Sequence, residues 1–376
     1  MLNEHKAFFI ALQTSDHPDG AVPYGVGEPG IAKTRRTAAF AKFIERGYEC
    51  IIGSQRLPED VLGAPKVLEL TGRNGSQHVM EHVPPGWRFR LENHARGGLL
   101  HLDELGDCQP AMQAALLQIL ADGVPNSWIC ATGNPVEIST NGYELSLPAI
   151  NRLCQINWPD DRAAWERGMI NGWDSLADDF PVLPSTWTSQ LPGAKALVVN
   201  FCRRNTAHFQ QMPRTVGEVA PWPSMRSWTH TATVLAAAKS LGVDEDVEDL
   251  LILGCVGRGA AIAFRNWIKS LDLPDPEALL ADPKLFDPKS RGDLAFATLC
   301  AVVAAVLSNN TVDRWQAAWK IFERQCSEAA DIAAAVCGPL AANRPKGADA
   351  AELRIPKSVE KKLFAILNVQ RAASDK

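Results

Sequence analysis

The stretch "YGVGEPGIAKTRR" (residues 24–36) decides the fold, because it combines a glycine-rich turn with Lys33 and Thr34. Phosphate-binding loops follow the pattern G-x-x-x-x-G-K-[ST], in which backbone amides converge at a helix start and the lysine adds charge. Gly27 opens the match, but Ala32 stands where the last glycine belongs. An alanine can serve there if its backbone stays helical, because only its amide is then needed.

The loop pattern predicts a role for each of its polar residues. Lys33 is expected to reach the β- and γ-phosphates of a nucleotide, and the Thr34 hydroxyl to bind Mg²⁺. Glycines at 25, 27 and 30 are expected to permit positive φ and close backbone approach. The predicted nucleotide-binding residues are Gly25, Gly27, Glu28, Pro29, Gly30, Ile31, Ala32, Lys33, Thr34 and Arg35. The alternative is a chance strand–turn–helix with a surface lysine.

Short apolar runs alternate with helical patterns over the first ~160 residues, which predicts an α/β fold with a parallel sheet covered by helices. The predicted strands are 21–27, 49–54, 97–105, 127–134 and 154–159, and the predicted helices are 33–46 and 109–121. Residues 71–96 carry histidines, prolines and charges, and we expect an exposed insertion there.

The pattern changes beyond the last of these strands. A proline- and serine-rich stretch at 178–193 is typical of a linker, and helical periodicity follows at 227–242 and 313–337. The apolar run at 294–307 is too short to span a bilayer and predicts a buried helix. We therefore predict three parts: a nucleotide-binding α/β core at 1–180, a helical lid at 181–270 and a C-terminal helical region at 271–376.

Composition and charge limit the classes of function. The net charge of −5 provides no overall basic field for nucleic acid. No basic start is followed by an apolar run, so we expect no secretory signal. The nine cysteines form no CxxC pair, and most lie in apolar runs. These features predict a reduced, cytoplasmic protein without disulfides or zinc.

Two carboxylates and an amide follow predicted strands. "GLLHLDEL" (98–105) ends in Asp103 and Glu104, and "WICATGNP" (128–135) ends in Asn134. Ligands gather at the carboxyl ends of parallel strands. Asp103 is expected to hold Mg²⁺, Glu104 to polarise the attacking water, and Asn134 to orient that water. The alternatives are a strand that ends in surface charges and a plain Gly-Asn-Pro turn.

In this order the motifs resemble the MoxR branch of the AAA+ ATPases, whose loop typically reads "GPPGIAKT"; Glu28 here replaces a proline. "LLHLDEL" resembles the Walker B segment and "ATGNP" the sensor 1 segment of that branch. "LSLPAINRLCQINWP" (145–159) resembles the arginine-finger segment, which implies that Arg152 reaches a neighbouring subunit's ATP. "PWPSMRSW" (221–228) resembles the lid helix that carries the sensor 2 arginine, here Arg226, which clamps phosphate.

The resemblance implies a Mg²⁺-dependent ATPase that forms a ring, expected to be a hexamer, and that remodels or assembles a partner protein, as a chaperone does. A finger that acts on a neighbour requires a closed head-to-tail assembly. Residues 256–283 resemble a stretch of MoxR-type ATPases that work beside proteins with von Willebrand factor A domains, which implies such a partner. Both arginines also have a purely structural alternative. Arg152 could lie at the edge of the core and neutralise nearby carboxylates, and Arg226 could be an exposed residue at a helix start.

Two other classes of function share these parts. A nucleic-acid motor or clamp loader needs a basic patch, and residues 71–96 offer few arginines: Arg73, Arg88, Arg90 and Arg96, opposed by Glu81 and Glu92. A nucleotide-gated scaffold without hydrolysis is disfavoured by the intact Asp103–Glu104 pair. His94 and His101 lie near these carboxylates, but their spacing matches no zinc motif.

Overall fold

The structure, a computed structural model, describes residues 1–72, 75–138, 143–213, 220–271, 273–345 and 353–363. It divides into two compact units. The first contains Met1–Leu183, Gln210–Ala238 and Gly242–Ala261, and the second contains Pro184–Phe209, Lys239–Leu241 and Ile262–Lys376. The three-part division stays a prediction.

The strands that the structure describes lie in the first unit. They are β1 (Val22–Val26), β2 (Gly47–Ile52), β3 (Ala64–Gly72), β4 (Gly75–Val83), β5 (Gly98–Asp103), β6 (Ser127–Gly133) and β7 (Leu153–Asn157). Five of them form a parallel sheet in the order β2-β5-β6-β1-β7. All five predicted strands are present, and the predicted α/β class with a parallel sheet is confirmed.

The helices begin and end as follows. They are α1 (Asn3–Leu12), α2 (Lys33–Phe43), α3 (Pro58–Leu62), α4 (Gly86–Glu92), α5 (Pro110–Asp122), α6 (Leu147–Ile150), α7 (Arg162–Asn171), α8 (Leu191–Arg204), α9 (Met225–Leu241), α10 (Glu245–Val256), α11 (Arg258–Lys269), α12 (Pro276–Ala281), α13 (Gly292–Ser308), α14 (Val312–Glu328), α15 (Ala330–Val336) and α16 (Gly338–Ala342). Among the described residues, every helix is either too short or too polar to cross a bilayer.

The sheet of the first unit is buried on both faces, as parallel sheets generally are. Residues 98–102 of β5 are all buried. At one edge of the sheet, α1 is fixed by a polar contact: Arg36 donates to His5 Nδ1 at 2.9 Å and to Asp161 Oδ2 at 3.0 Å. Asp161 also caps α7 by accepting from the amide of Ala164.

The second unit is helical and has its own core. The helix α13 covers the apolar run at 294–307, and most of its side chains are buried, as predicted. Trp315, Trp319 and Phe322 on α14 are fully buried, and the Trp315 indole donates to the Leu340 carbonyl at 3.0 Å. The single helix predicted at 313–337 is instead two helices, because the backbone of Ala329 leaves the helical region.

The insertion predicted at 71–96 contains a regular element that the sequence analysis did not predict. The strands β3 and β4 form a separate antiparallel hairpin, in which Val67 pairs with Met80. Every residue of β4 is exposed, as expected for an exposed insertion, but Leu91 of α4, also within 71–96, is buried in the core. Arg73 lies outside the described residues.

Candidate functional site

The predicted loop leaves β1 and enters α2 at Lys33, as a phosphate-binding loop requires. A side chain at Gly27 would lie 2.2 Å from the Trp158 carbonyl oxygen, so only glycine fits there. Gly30 has φ 83° and open space around it. Gly25 and Gly27 depart from the expectation of positive φ, but both allow the close approach of Trp158, as predicted.

Ala32 corrects a second expectation. Its backbone is not helical but left-handed, with φ 65° and ψ 27°. A residue with a Cβ is strained in this region by roughly 1–2 kcal/mol, which is why the usual motif has glycine at this position. The loop therefore keeps the left-handed backbone conformation that glycine normally adopts at this position, although the residue is alanine.

We predict that Ala32→Gly raises the free energy of unfolding by about 1 kcal/mol, because glycine removes the left-handed strain. Ala38→Gly, inside α2, is the matched control and should lower it by about 1 kcal/mol. Urea unfolding of both variants measures the difference. Equal losses in the two variants would show that the backbone of Ala32 is not strained.

Lys33 is buried against the loop and against the neighbouring strand ends. Its Nζ donates to the carbonyls of Gly27 at 2.6 Å and Glu28 at 2.9 Å, and to Asn134 Oδ1 at 3.2 Å. Burial lowers its pKa, and the charges of Asp103, Asp107 and Glu104 oppose that effect. The ammonium group is thus the centre of an acidic, partly dehydrated site.

Thr34 and Asp103 meet as predicted. The Thr34 hydroxyl donates to Asp103 Oδ2 at 2.7 Å. The other oxygen, Oδ1, accepts from the Thr132 hydroxyl at 2.6 Å and from the Glu104 amide at 3.0 Å. Burial raises the pKa of Asp103, but the charge that His101 carries when protonated, together with these hydrogen bonds, outweighs this effect, and the pKa lies below its ordinary value. The carboxylate is therefore ionised at neutral pH.

Glu104 adopts a left-handed backbone, with φ 58° and ψ 37°. Its Oε2 accepts a hydrogen bond from Ser54, which follows the end of β2. Ser54 was not predicted to contribute; the only signal in the sequence was a hydroxyl at the last residue of the predicted strand at 49–54. The contact holds the carboxylate of the proposed general base against the neighbouring strand.

Asn134 lies at the end of β6 and joins two charged groups. Besides accepting from Lys33, it donates through Nδ2 to Asp107 Oδ2 at 3.2 Å. Asp107 is buried and raises the pKa of the Lys33 ammonium. Asp107 was given no role in the site on sequence grounds, although it lies only a few residues after the strand-end carboxylates.

The two predicted arginines lie at the opposite edge of the sheet. Arg152 precedes β7, whose first residue pairs with the first residue of β1. It lines a cavity of about 410 Å³ together with Arg226, the second residue of α9. The start of α9 is fixed there, because Ser224 donates to Asn151 at 2.7 Å. Burial and the charge of Arg226 lower the pKa of Arg152.

This placement separates the arginines from the phosphate loop of their own chain. A five-residue strand is about 16 Å long, and Arg152 and the loop lie at its two ends. The loop borders a different cavity of about 870 Å³, whose lining includes Gly27, Ile31 and Asn134. Neither arginine is thus placed to contact a phosphate in that cavity.

The histidines that sequence analysis weighed as zinc ligands have other surroundings. His101 is fully buried on β5, and burial lowers its pKa to about 4, so the ring is neutral at pH 7. His94 follows α4, and its ring accepts from the Arg96 amide at 3.4 Å. In the parts of the chain that the structure describes, no three His, Cys, Asp or Glu side chains form a metal-binding group.

Comparisons with known proteins found only remote structural similarities. No protein-family model matches the sequence, and no curated protein matches it either. A solved structure from Cytophaga hutchinsonii, described provisionally as an ATPase, has a TM-score of 0.39 and 15% identity, covering 71% of this chain and 87% of its own. A full-length MCM homolog from Methanopyrus kandleri has a TM-score of 0.33 and 11% identity, covering 67% and 55%. At such values neither similarity assigns a function.

Proposed function

We propose that this chain is a Mg²⁺-dependent ATPase of the AAA+ class and MoxR type, which acts in the cytoplasm as a ring and remodels a partner protein. The observation that carries the proposal is the convergence of four polar side chains at the carboxyl ends of the parallel strands, where Lys33 donates to Asn134 at 3.2 Å and Thr34 donates to Asp103 at 2.7 Å.

The loop supplies the nucleotide-binding part. Residues 28–34 would bind the phosphates through backbone amides at the start of α2, and Lys33 would exchange its loop carbonyls for phosphate oxygens. Thr34 and Asp103 fit Mg²⁺, since a hydroxyl and a carboxylate are hard oxygen donors and lie 2.7 Å apart. When bound, the ion would neutralise charge on the β- and γ-phosphates.

Glu104 and Asn134 supply the hydrolytic part. Water attacks the γ-phosphorus, the bond to the β–γ bridging oxygen breaks, and the Glu104 carboxylate takes the proton of the water. Asn134, held between Lys33 and Asp107, orients that water. Oε2 of Glu104 accepts from Ser54, and the carboxylate has further lone pairs that can take the proton of the water.

The position of the arginines supports an assembly in which one subunit completes the site of the next. Arg152 and Arg226 face away from their own loop and share one cavity, so both would act on a neighbour's γ-phosphate. Two like charges side by side repel, and an incoming phosphate would relieve that repulsion. A ring closes such head-to-tail contacts, and we propose a hexamer.

We predict that Arg152→Ala lowers ATP turnover by about 10³-fold and that mixing it with Glu104→Gln restores activity. In an equal mixture, about a quarter of the junctions pair an intact Glu104 with an intact Arg152, so about a quarter of the wild-type rate should return. Arg226→Ala should behave in the same way.

The control for this mixing experiment is Arg162→Ala. Arg162 is exposed on α7 and pairs with Glu166, so its loss should leave turnover unchanged. If mixed assemblies form in sedimentation but no activity returns, the arginines do not act between subunits.

A protein client is favoured over nucleic acid by the hairpin of β3 and β4. Val67 and Met80 pair across it and are 61% and 67% exposed, an apolar surface suited to a polypeptide. The arginines described nearby are already ion-paired: Arg88 with Glu92, Arg90 with Glu49 and Arg96 with Glu45. We propose that the partner is a protein, one with a von Willebrand factor A domain, and that DNA leaves the ATPase rate unchanged.

A further inference from the structure

A buried line of polar side chains runs from β2 to the proposed Mg²⁺ carboxylate. The Tyr48 hydroxyl lies 2.9 Å from His101 Nδ1, and His101 Nε2 lies 2.6 Å from the Thr132 hydroxyl. Thr132 in turn contacts Asp103 Oδ1 at 2.6 Å. His101 and Thr132 are both fully buried, so water does not compete for these hydrogen bonds.

The hydrogens in this line can be arranged in one way. Ionised Asp103 only accepts, so the single hydroxyl hydrogen of Thr132 is donated to it. The Thr132 oxygen must then accept from His101 Nε2, which fixes the neutral tautomer with its hydrogen on Nε2. His101 Nδ1 consequently accepts from Tyr48. Every member of the line donates toward the carboxylate.

This arrangement decides which oxygen of Asp103 remains for a cation. Oδ1 is taken by two donors, the Thr132 hydroxyl and the Glu104 amide. Oδ2 faces the Thr34 hydroxyl at 2.7 Å. If His101 did not donate to the Thr132 oxygen, the Thr132 hydroxyl could rotate and donate its hydrogen to another acceptor. Asp103 would then lose the hydrogen bond that fixes its orientation.

We propose that His101 is a positioning residue, which locks the Thr132 hydroxyl and thereby turns Asp103 Oδ2 toward Mg²⁺. The inference rests on the proposed ATPase function and adds to it a residue that acts through Asp103. Residues behind metal ligands typically change metal affinity 10- to 100-fold when they are lost.

The test compares His101→Leu with His101→Gln by titrating a fluorescent ADP analogue with Mg²⁺ and with EDTA. We expect His101→Leu to reduce the gain in affinity caused by Mg²⁺ by about tenfold and to leave the affinity in EDTA unchanged. Gln offers an amide N–H in place of Nε2–H and should restore most of the gain. A purely structural role would instead weaken both affinities together in both variants.

Thr132→Val and Thr132→Ser provide a second test if the His101 variants fold poorly. Valine removes the hydroxyl and should reduce the Mg²⁺-dependent gain in affinity as much as His101→Leu does. Serine keeps the hydroxyl and should therefore keep that gain in affinity. The double variant His101→Leu/Thr132→Val should be no worse than either single variant, since both break one line. The proposal would be overturned if the two substitutions reduced the Mg²⁺-dependent gain in affinity additively. It would also be overturned if folded His101→Leu showed the same Mg²⁺-dependent gain in affinity as the wild type. If the wild type itself shows no Mg²⁺-dependent binding, the ATPase function fails instead.

Discussion

Glu104→Gln binds ATP with nearly unchanged affinity but hydrolyses it 10²- to 10⁴-fold more slowly, the range expected when a general base is lost. The amide cannot take the proton of the attacking water. Its size matches the carboxylate, and the Ser54 hydroxyl can still donate to its oxygen. The hydrogen bonds that position Lys33 and Thr34 do not involve this side chain, so we expect nucleotide binding to survive.

Phosphate release and binding of a fluorescent ATP analogue measure the two effects separately. Glu166→Gln, on the exposed helix α7, is the matched control and should retain full turnover. Full activity of Glu104→Gln would remove Glu104 from the catalytic role. A loss of binding equal to the loss of turnover would show that the residue supports the site and not the chemistry.

Lys33→Met should weaken ATP binding by about 100-fold, since charge-assisted hydrogen bonds to phosphate contribute about 1.5–3 kcal/mol each. The substitution keeps the length of the side chain and removes its charge. It also leaves Asp103 and Asp107 without the cation whose charge interacts with both. The variant should therefore unfold at a lower temperature than the wild type.

Titration of the ATP analogue and thermal unfolding test this pair of effects. Lys42→Met, near the end of α2, is the control; Lys42 is exposed and pairs with Asp174. Its binding of nucleotide should match the wild type. Wild-type affinity in folded Lys33→Met would mean that residues 27–34 do not bind phosphate.

The strands, and the loop that joins β1 to α2, could be predicted from the sequence because their signals are local. Buried parallel strands are continuous apolar runs, and polar residues mark their carboxyl ends. The meeting of Thr34 with Asp103, and of Lys33 with Asn134, follows from that rule. The hairpin of β3 and β4 was missed because neither of its faces is buried, so no clear alternation of apolar and polar residues marks it.

Contacts between strands could not be predicted in the same way. Ser54 and Tyr48 reach Glu104 and His101 only because β2 lies next to β5 in the sheet. The left-handed backbone of Ala32 was missed because its residue type favours a helix.

The positions of the two arginines in space could not be predicted from the sequence either. The sequence placed Arg152 and Arg226 in candidate segments, but their shared cavity depends on how α9 begins beside β7. That edge lies opposite the phosphate loop, a relation set by strand direction. The expectation of a phosphate clamp therefore becomes a proposal about the neighbouring subunit.

The most direct test of the central claim is calorimetric titration of the wild-type protein with a non-hydrolysable ATP analogue and Mg²⁺. The account predicts saturable binding of one nucleotide per chain, weakened by EDTA and by Lys33→Met. A folded wild-type protein that binds no nucleotide, or one whose binding is unchanged by Lys33→Met, would contradict it.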